Sequence, residues 1–184
     1  MGKQSRETDI LELFYNYPTK HWHFGEIKEH VPIADNKVSR WLKSFTKSGL
    51  VKRHKPRGSM PYYTSDYENP EYQNRKRLYA LQKLHQTGLL NHLSSLKKAE
   101  SVILFGSMTR WDWYKESDVD VFIYGDPEGL EIAEFELKLH REIQLFICKD
   151  REGLKKFGKG LIRNIIKGDL IKGSLDFIEV DLNA

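Results

Sequence analysis

Ser101-Val102-Ile103-Leu104-Phe105-Gly106-Ser107-Met108-Thr109-Arg110, followed after residues 111–116 by Ser117-Asp118-Val119-Asp120-Val121-Phe122-Ile123, is the stretch whose reading decides the fold. The run Ser101–Phe105 reads as a buried strand that passes straight into a Gly-Ser turn. Ser117–Ile123 alternates acidic with apolar residues. As a strand it puts Asp118 and Asp120 on one face and Val119, Val121 and Ile123 on the other. Two carboxylates side by side repel, and a hard divalent cation that takes oxygen ligands, Mg²⁺ or Mn²⁺, relieves that cost. The turn offers backbone N–H groups and the Ser107 hydroxyl to phosphate oxygens, with Arg110 at hand to neutralise charge. Together these groups suit a metal-bound nucleoside triphosphate.

The string from Gly106 to Ile123 resembles the signature of the nucleotidyltransferase superfamily that includes DNA polymerase beta, in its minimal form: Gly-Ser, a short helix carrying Arg, then Ser-Asp-x-Asp on the next strand. The resemblance implies that Gly106, Ser107, Arg110 and Ser117 hold the nucleotide, with ATP the first candidate. It implies that Asp118 and Asp120 are catalytic metal ligands. The family adds a third carboxylate from a following strand, in a pattern like Arg-x-x-Asp-Leu. Counting from Arg141 puts Gln144 at that place, and a neutral amide is a poorer metal ligand and no base. Glu142 shares the strand face with Gln144 about 7 Å away along the strand, and takes the catalytic role only if the register shifts.

Outward from this motif, Asp126-Pro127 is expected to start a helix with Ile132, Phe135 and Leu139 on its inner face, and residues 140–147 return as a strand. Leu161, Ile162, Ile165 and Ile166 mark a helix ending at Gly168, and residues 175–180 alternate as a strand carrying Asp176 at a surface edge. The single Cys148 follows Leu145-Phe146-Ile147 and reads as a buried strand residue in a reducing compartment. The expected fold class is α+β, with a mixed sheet flanked by helices in the C-terminal half.

The N-terminal half shows three short helical patterns. Ile10, Leu13, Phe14 and Tyr17 fall on one helix face ended near Pro18; Phe24, Ile27 and Val31 follow up to Pro32; Val38, Trp41, Leu42 and Phe45 form the third, capped by Asp35 or Asn36 and closed by Gly49. Two strands around a basic Pro-Gly turn come next, over residues 50–54 and 60–64. This order resembles a winged helix-turn-helix, in which the third helix enters the DNA major groove. The resemblance makes double-stranded DNA the expected partner, contacted by Lys37, Arg40, Lys43, Lys52, Arg53, Lys55 and Arg57. Such cations release counterions from phosphates and make affinity salt-sensitive.

Charge follows the same division. Up to residue 98 there are 18 Lys+Arg against 9 Asp+Glu, and beyond it 12 against 17, within a net charge of +4. A basic half suits a polyanion and an acidic half suits cations. The expected domains are 1–66, a winged helix-turn-helix; 67–98, a helical connector opened by Asn69-Pro70 and interrupted near Gly88; and 99–184, the minimal nucleotidyltransferase domain. No apolar run is long enough to span a membrane and no signal peptide is visible, so the cytoplasm is the expected location. Two functions fit: transfer of a nucleoside monophosphate from Mg-NTP to an acceptor hydroxyl, or a DNA-binding transcriptional regulator whose C-terminal domain senses nucleotide or dimerises. Minimal relatives often act as antitoxins, which makes a protein acceptor or toxin partner, and a homodimer, the expected assemblies.

Overall fold

The computed structural model describes residues 6–178 and divides the chain into two compact units, one made of residues up to Lys76 together with Asp112–Lys115, the other of Arg77–Trp111 and the residues from Glu116 onward. Among the described residues no helix is long and apolar enough to cross a membrane.

In the first unit α1 (Arg6–Asn16) stops before Pro18, which lacks the N–H and the freedom in φ to continue a helix. Strand β1 (Trp22–His23) leads into α2 (Phe24–His30), then α3 (Asp35–Lys47), and β2 (Val51–His54) and β3 (Tyr62–Ser65) form a hairpin. The three strands make an antiparallel sheet in the order β1-β3-β2. The two-residue strand β1 was not expected from sequence. Helix α3 takes Ala34 as its N-cap, not Asp35 or Asn36; Asp35 sits in the first turn, where an acid favours the helix dipole, and pairs with Lys28.

Ile10, Phe14, Trp22, Ile27, Val38, Leu42, Phe45 and Leu50 are buried at the centre of this unit. Each such side chain contributes roughly 1.5–3 kcal/mol by leaving water. The carbonyl of Phe14, left without an intrahelical partner near the end of α1, accepts bonds from Ser65 Oγ at 2.8 Å and Tyr72 Oη at 3.0 Å. Burial drives the neighbouring Tyr15 phenol up to about 12. Trp113 is also part of this unit. It is 2% exposed, its ring lies edge-on to Tyr15 at 6.1 Å, and its carbonyl accepts a bond from the ammonium of Lys76, itself 1% exposed and 4.5 Å above the Trp113 ring.

Helix α4 (Pro70–Gln86) contains the division between the units, and the break near Gly88 is real: Gly88, at φ 87°, caps a separate α5 (Leu89–Ser95). In the second unit β4 (Ala99–Phe105), β5 (Val119–Gly125), β6 (Ile143–Cys148) and β7 (Asp169–Lys172) form a sheet in the order β6-β5-β4-β7. Strand β5 runs parallel to β6 and antiparallel to β4, so the sheet is mixed. Ile103, Phe105, Phe122, Tyr124, Cys148, Ile165 and Phe177 pack as a core on one face. Helices α6 (Ala133–Leu139), α7 (Arg151–Leu154) and α8 (Lys159–Ile166) complete the unit.

Several expectations are corrected. Asp126-Pro127 does not start a helix: Leu130 N donates to Pro127 O, Gly129 takes φ 85°, and the helix begins only at Ala133. The strand after it begins at Ile143, because His140 turns the chain at φ 52°. Residues 175–178 form a turn, with Asp176 bonded to Ser174 at the surface, while Glu179 and Val180 lie outside the described residues. Strand β7, unforeseen, pairs with β4 instead.

Candidate functional site

Strand β4 ends at Phe105, whose register partner on β5 is Asp120, and the chain leaves through Gly106. Gly106 adopts φ 77°, ψ −156°, a conformation reserved in practice for glycine. A Cβ there would stand 1.9 Å from Asp120 Oδ2, so the carboxylate rests directly against the Gly106 backbone. Ser107 opens a single 3-10 turn, Ser107–Thr109, held by Thr109 Oγ1 donating to Gly106 O at 2.9 Å and Arg110 N donating to Ser107 O at 2.9 Å. The short helix expected here is thus one turn. Of the two acids, Asp120 faces the bend at Gly106.

Asp120 is half-buried, and its carboxyl is held above the usual carboxylate range, first by desolvation, then by the charge of Asp118; Arg110 pulls the other way. Asp118 and Arg110 therefore both act electrostatically on Asp120. A carboxylate penalised by burial and by a like neighbour is stabilised by a divalent cation, and two carboxylates plus phosphate oxygens and water are the ligands Mg²⁺ ordinarily takes. The donor set fits such an ion.

Asp118 directly precedes β5, and its backbone is fixed from both sides. Val119 N donates to Glu142 O at 2.9 Å, and Arg141 Nη1 donates to the carbonyl of buried Ser117 at 2.7 Å. Glu136 in turn receives Ile143 N on its carboxylate at 2.9 Å, which ties α6 to the start of β6. The Arg141 bond spans 24 residues and so leaves no local signal in the sequence.

The strand register places Gln144 beside Asp120. Asp120 pairs with Gln144 across the parallel β5–β6 ladder, and Gln144 shares its strand face with Phe146 and Cys148, the face of the Phe122 core that Asp120 extends. Glu142 lies outside the strand and exposed. Among the described residues no group of three or more His, Cys, Asp or Glu stands together for a metal.

The seven cations expected on a nucleic acid are placed differently from one another. Lys37, Arg40 and Lys43 are exposed on α3, and Lys55 and Arg57 are exposed in the β2–β3 turn. Arg53 and Tyr63, opposite each other on the hairpin, join Ser39, Leu42, Lys43, Thr46 and Lys47 around a groove of about 560 Å³. Lys52 is on the other strand face, its ammonium 2.8 Å from Asp66 and 3.7 Å from Glu68.

Residues 88–174 match the family model described as Polymerase beta, Nucleotidyltransferase, so this part of the chain is similar to nucleotidyltransferase domains. No curated protein and no solved structure matches the chain.

Proposed function

We propose that the second unit binds a divalent cation and a nucleoside triphosphate at the Gly106–Asp120 site and transfers a nucleotidyl group to an acceptor hydroxyl, while residues 1–66 form a winged helix-turn-helix that binds DNA, with 67–98 as connector and 99–184 as the transferase domain. One observation carries the chemistry: the Asp120 carboxylate lies against Gly106, with Asp118 and Arg110 in electrostatic reach. In this assignment the N–H groups of the bend and the Ser107 hydroxyl hold phosphate oxygens, Arg110 neutralises phosphate charge, and Asp118 and Asp120 ligate the ion. Bound Mg²⁺ supplies charge neutralisation on the phosphates. The acceptor oxygen forms a bond to the α-phosphorus and the α–β bridging bond breaks. Pyrophosphate leaves and the hydroxyl proton passes to solvent, because the Gln144 amide cannot accept it.

A second reading is favoured by the pairing of Asp120 with Gln144: the site binds nucleotide without turnover and the chain acts as a nucleotide-responsive DNA-binding regulator. Incubation with α-labelled NTP and Mg²⁺ separates them. Label transferred by the wild type and lost in the Asp118→Ala, Asp120→Ala double variant establishes transfer. Saturable, Mg²⁺-dependent nucleotide binding without transfer across a broad set of protein, nucleic-acid and small-molecule hydroxyls supports the regulator, and absence of binding rejects both.

The first unit supports DNA binding through its architecture, three helices with an antiparallel hairpin, and through the exposed basic residues Lys37, Arg40, Lys43 and Lys47 of α3.

A further inference from the structure

We infer that Arg141 is a positioning residue for the candidate site: its guanidinium fixes the backbone at Asp118 and so sets where one of the two carboxylates meets the cation. The inference rests on the reading of Asp118 and Asp120 as metal ligands, and names the side chain on which the first of them depends.

The two acids are held in different ways. Asp120 lies inside β5, level with Phe105 on one neighbouring strand and with Gln144 on the other. Asp118 lies beyond the last register pair of either ladder, Phe105–Asp120 on one side and Val119–Ile143 on the other. Its Cα joins two peptide groups, and because each group is planar, holding both of them sets the two soft backbone torsions of Asp118. One group carries the Ser117 carbonyl and the other carries the Val119 N–H. Arg141 Nη1 donates to the Ser117 carbonyl at 2.7 Å, and Val119 N donates to the Glu142 carbonyl at 2.9 Å. Two consecutive residues thus fix both planes, and the Asp118 side-chain torsions are what remain to adjust to an ion.

The two bonds differ in what can remove them. Glu142 contributes a backbone carbonyl, which is present whatever its side chain, whereas Arg141 contributes a side chain. The root of that side chain is itself anchored. His140 ends α6 at φ 52°, ψ 43°, so that its own N–H and that of Arg141 both reach the Glu136 carbonyl, the second at 3.3 Å. The Glu136 carboxylate accepts Ile143 N at 2.9 Å, which closes the same junction from the far side. Arg141 therefore extends from a fixed helix end towards a carbonyl on a residue that is 8% exposed. Water competes poorly for a carbonyl at that burial, and an ionised donor makes a shorter and stronger bond than a neutral one. Partners of this kind, one bond behind a metal ligand, orient it and are typically worth on the order of 10- to 100-fold in metal affinity. A lysine at 141 keeps a charged donor without the planar fork, and a methionine keeps an unbranched stem with no donor.

The test is a Mn²⁺ titration of the full chain, followed by electron paramagnetic resonance, with α,β-methylene-ATP as the nucleotide so that binding is read without turnover. Arg141→Met is expected to weaken Mn²⁺ uptake on the order of 10- to 100-fold, and Arg141→Lys to recover most of that loss. A double-mutant cycle separates positioning from general support of the fold: added to Asp118→Ala, Arg141→Met is expected to cost nothing further, because the carboxylate it orients is gone. Wild-type affinity in Arg141→Met, or the same fold-loss with and without Asp118, overturns the positioning role and leaves the site standing. A wild type that takes up no Mn²⁺, or an Asp118→Ala, Asp120→Ala variant that takes it up equally well, overturns the site and this inference with it. Circular dichroism melts set a titration temperature at which every variant is folded. Should Arg141→Met not fold, Arg141→Gln, whose amide is too short for the Ser117 carbonyl, takes its place in the cycle with the same expected outcomes.

Discussion

Gly106→Ala isolates the contact on which the nucleotide site depends. The substitution forces an L side chain into φ 77°, ψ −156°, at a cost of about 1–3 kcal/mol in stability, and places a methyl carbon 1.9 Å from Asp120 Oδ2. Restoring an ordinary carbon–oxygen separation of about 3.3 Å moves that carboxylate by roughly 1.4 Å. Displacements near 1 Å in a preorganised site cost on the order of a hundredfold in rate. Gly129→Ala supplies the control: its φ is 85°, yet nothing lies within 4 Å of the added Cβ. Both variants are expected to melt lower by similar amounts. Only Gly106→Ala is expected to lose about a hundredfold in Mg²⁺-dependent nucleotide transfer, or, if the wild type only binds, in ion-dependent nucleotide affinity measured by titration calorimetry. Equal effects of the two variants on nucleotide chemistry would refute the assignment of Asp120 to the site.

Gln144→Asp puts a third carboxylate level with Asp120 and is expected to raise transfer on the order of a hundredfold, the usual worth of a general base; a variant with no more transfer than wild type contradicts the idea that the amide limits the reaction. Asp120→Asn addresses the raised carboxyl. In the folded chain Asp120 holds its proton more tightly than in the unfolded chain, so its ionisation removes stability as pH rises through and above the ordinary value of about 3.9. The asparagine variant is therefore expected to be more stable than wild type in EDTA at pH 7 and no more stable below about pH 3.9, and an equal gain at both pH values in urea melts argues against the electrostatic origin. Lys76→Met keeps the volume of a buried side chain but strips the Trp113 carbonyl of its ammonium donor, an expected loss of about 1–3 kcal/mol in urea unfolding; no loss means the ammonium is not needed there.

The candidate site could be proposed from sequence because its signal is local. Gly106, Ser107, Asp118 and Asp120 lie within 15 residues, and Asp120, on β5, rests against Gly106 at the end of the neighbouring β4. The three helices of the first unit were visible for the same reason, each having apolar residues at helical spacing. What stayed hidden depends on partners far along the chain. Two residues at Trp22-His23 are too few to show a period, and they become a strand only because Tyr62 and Tyr63 pair with them. Lys52 looked like its neighbour Arg53 until the fold brought Asp66 beside it. Arg141 is an ordinary surface-type residue in sequence, and its bond to Ser117 exists only through the parallel pairing of β5 and β6. Asp126-Pro127 misled because the same dipeptide that opens helices also builds turns, and Gly129 decided for the turn.

The membership of Asp112–Lys115 in the first unit bears on how the protein can be dissected. A clone covering only the C-terminal half would include Trp113 but not Tyr15 or Lys76, and so would expose an indole that is 2% accessible in the intact chain. A clone covering only the N-terminal half would lack the same tryptophan and leave a hole beside Tyr15. Neither half is a self-contained cassette, and swapping modules between such proteins calls for carrying this four-residue graft along with the front piece.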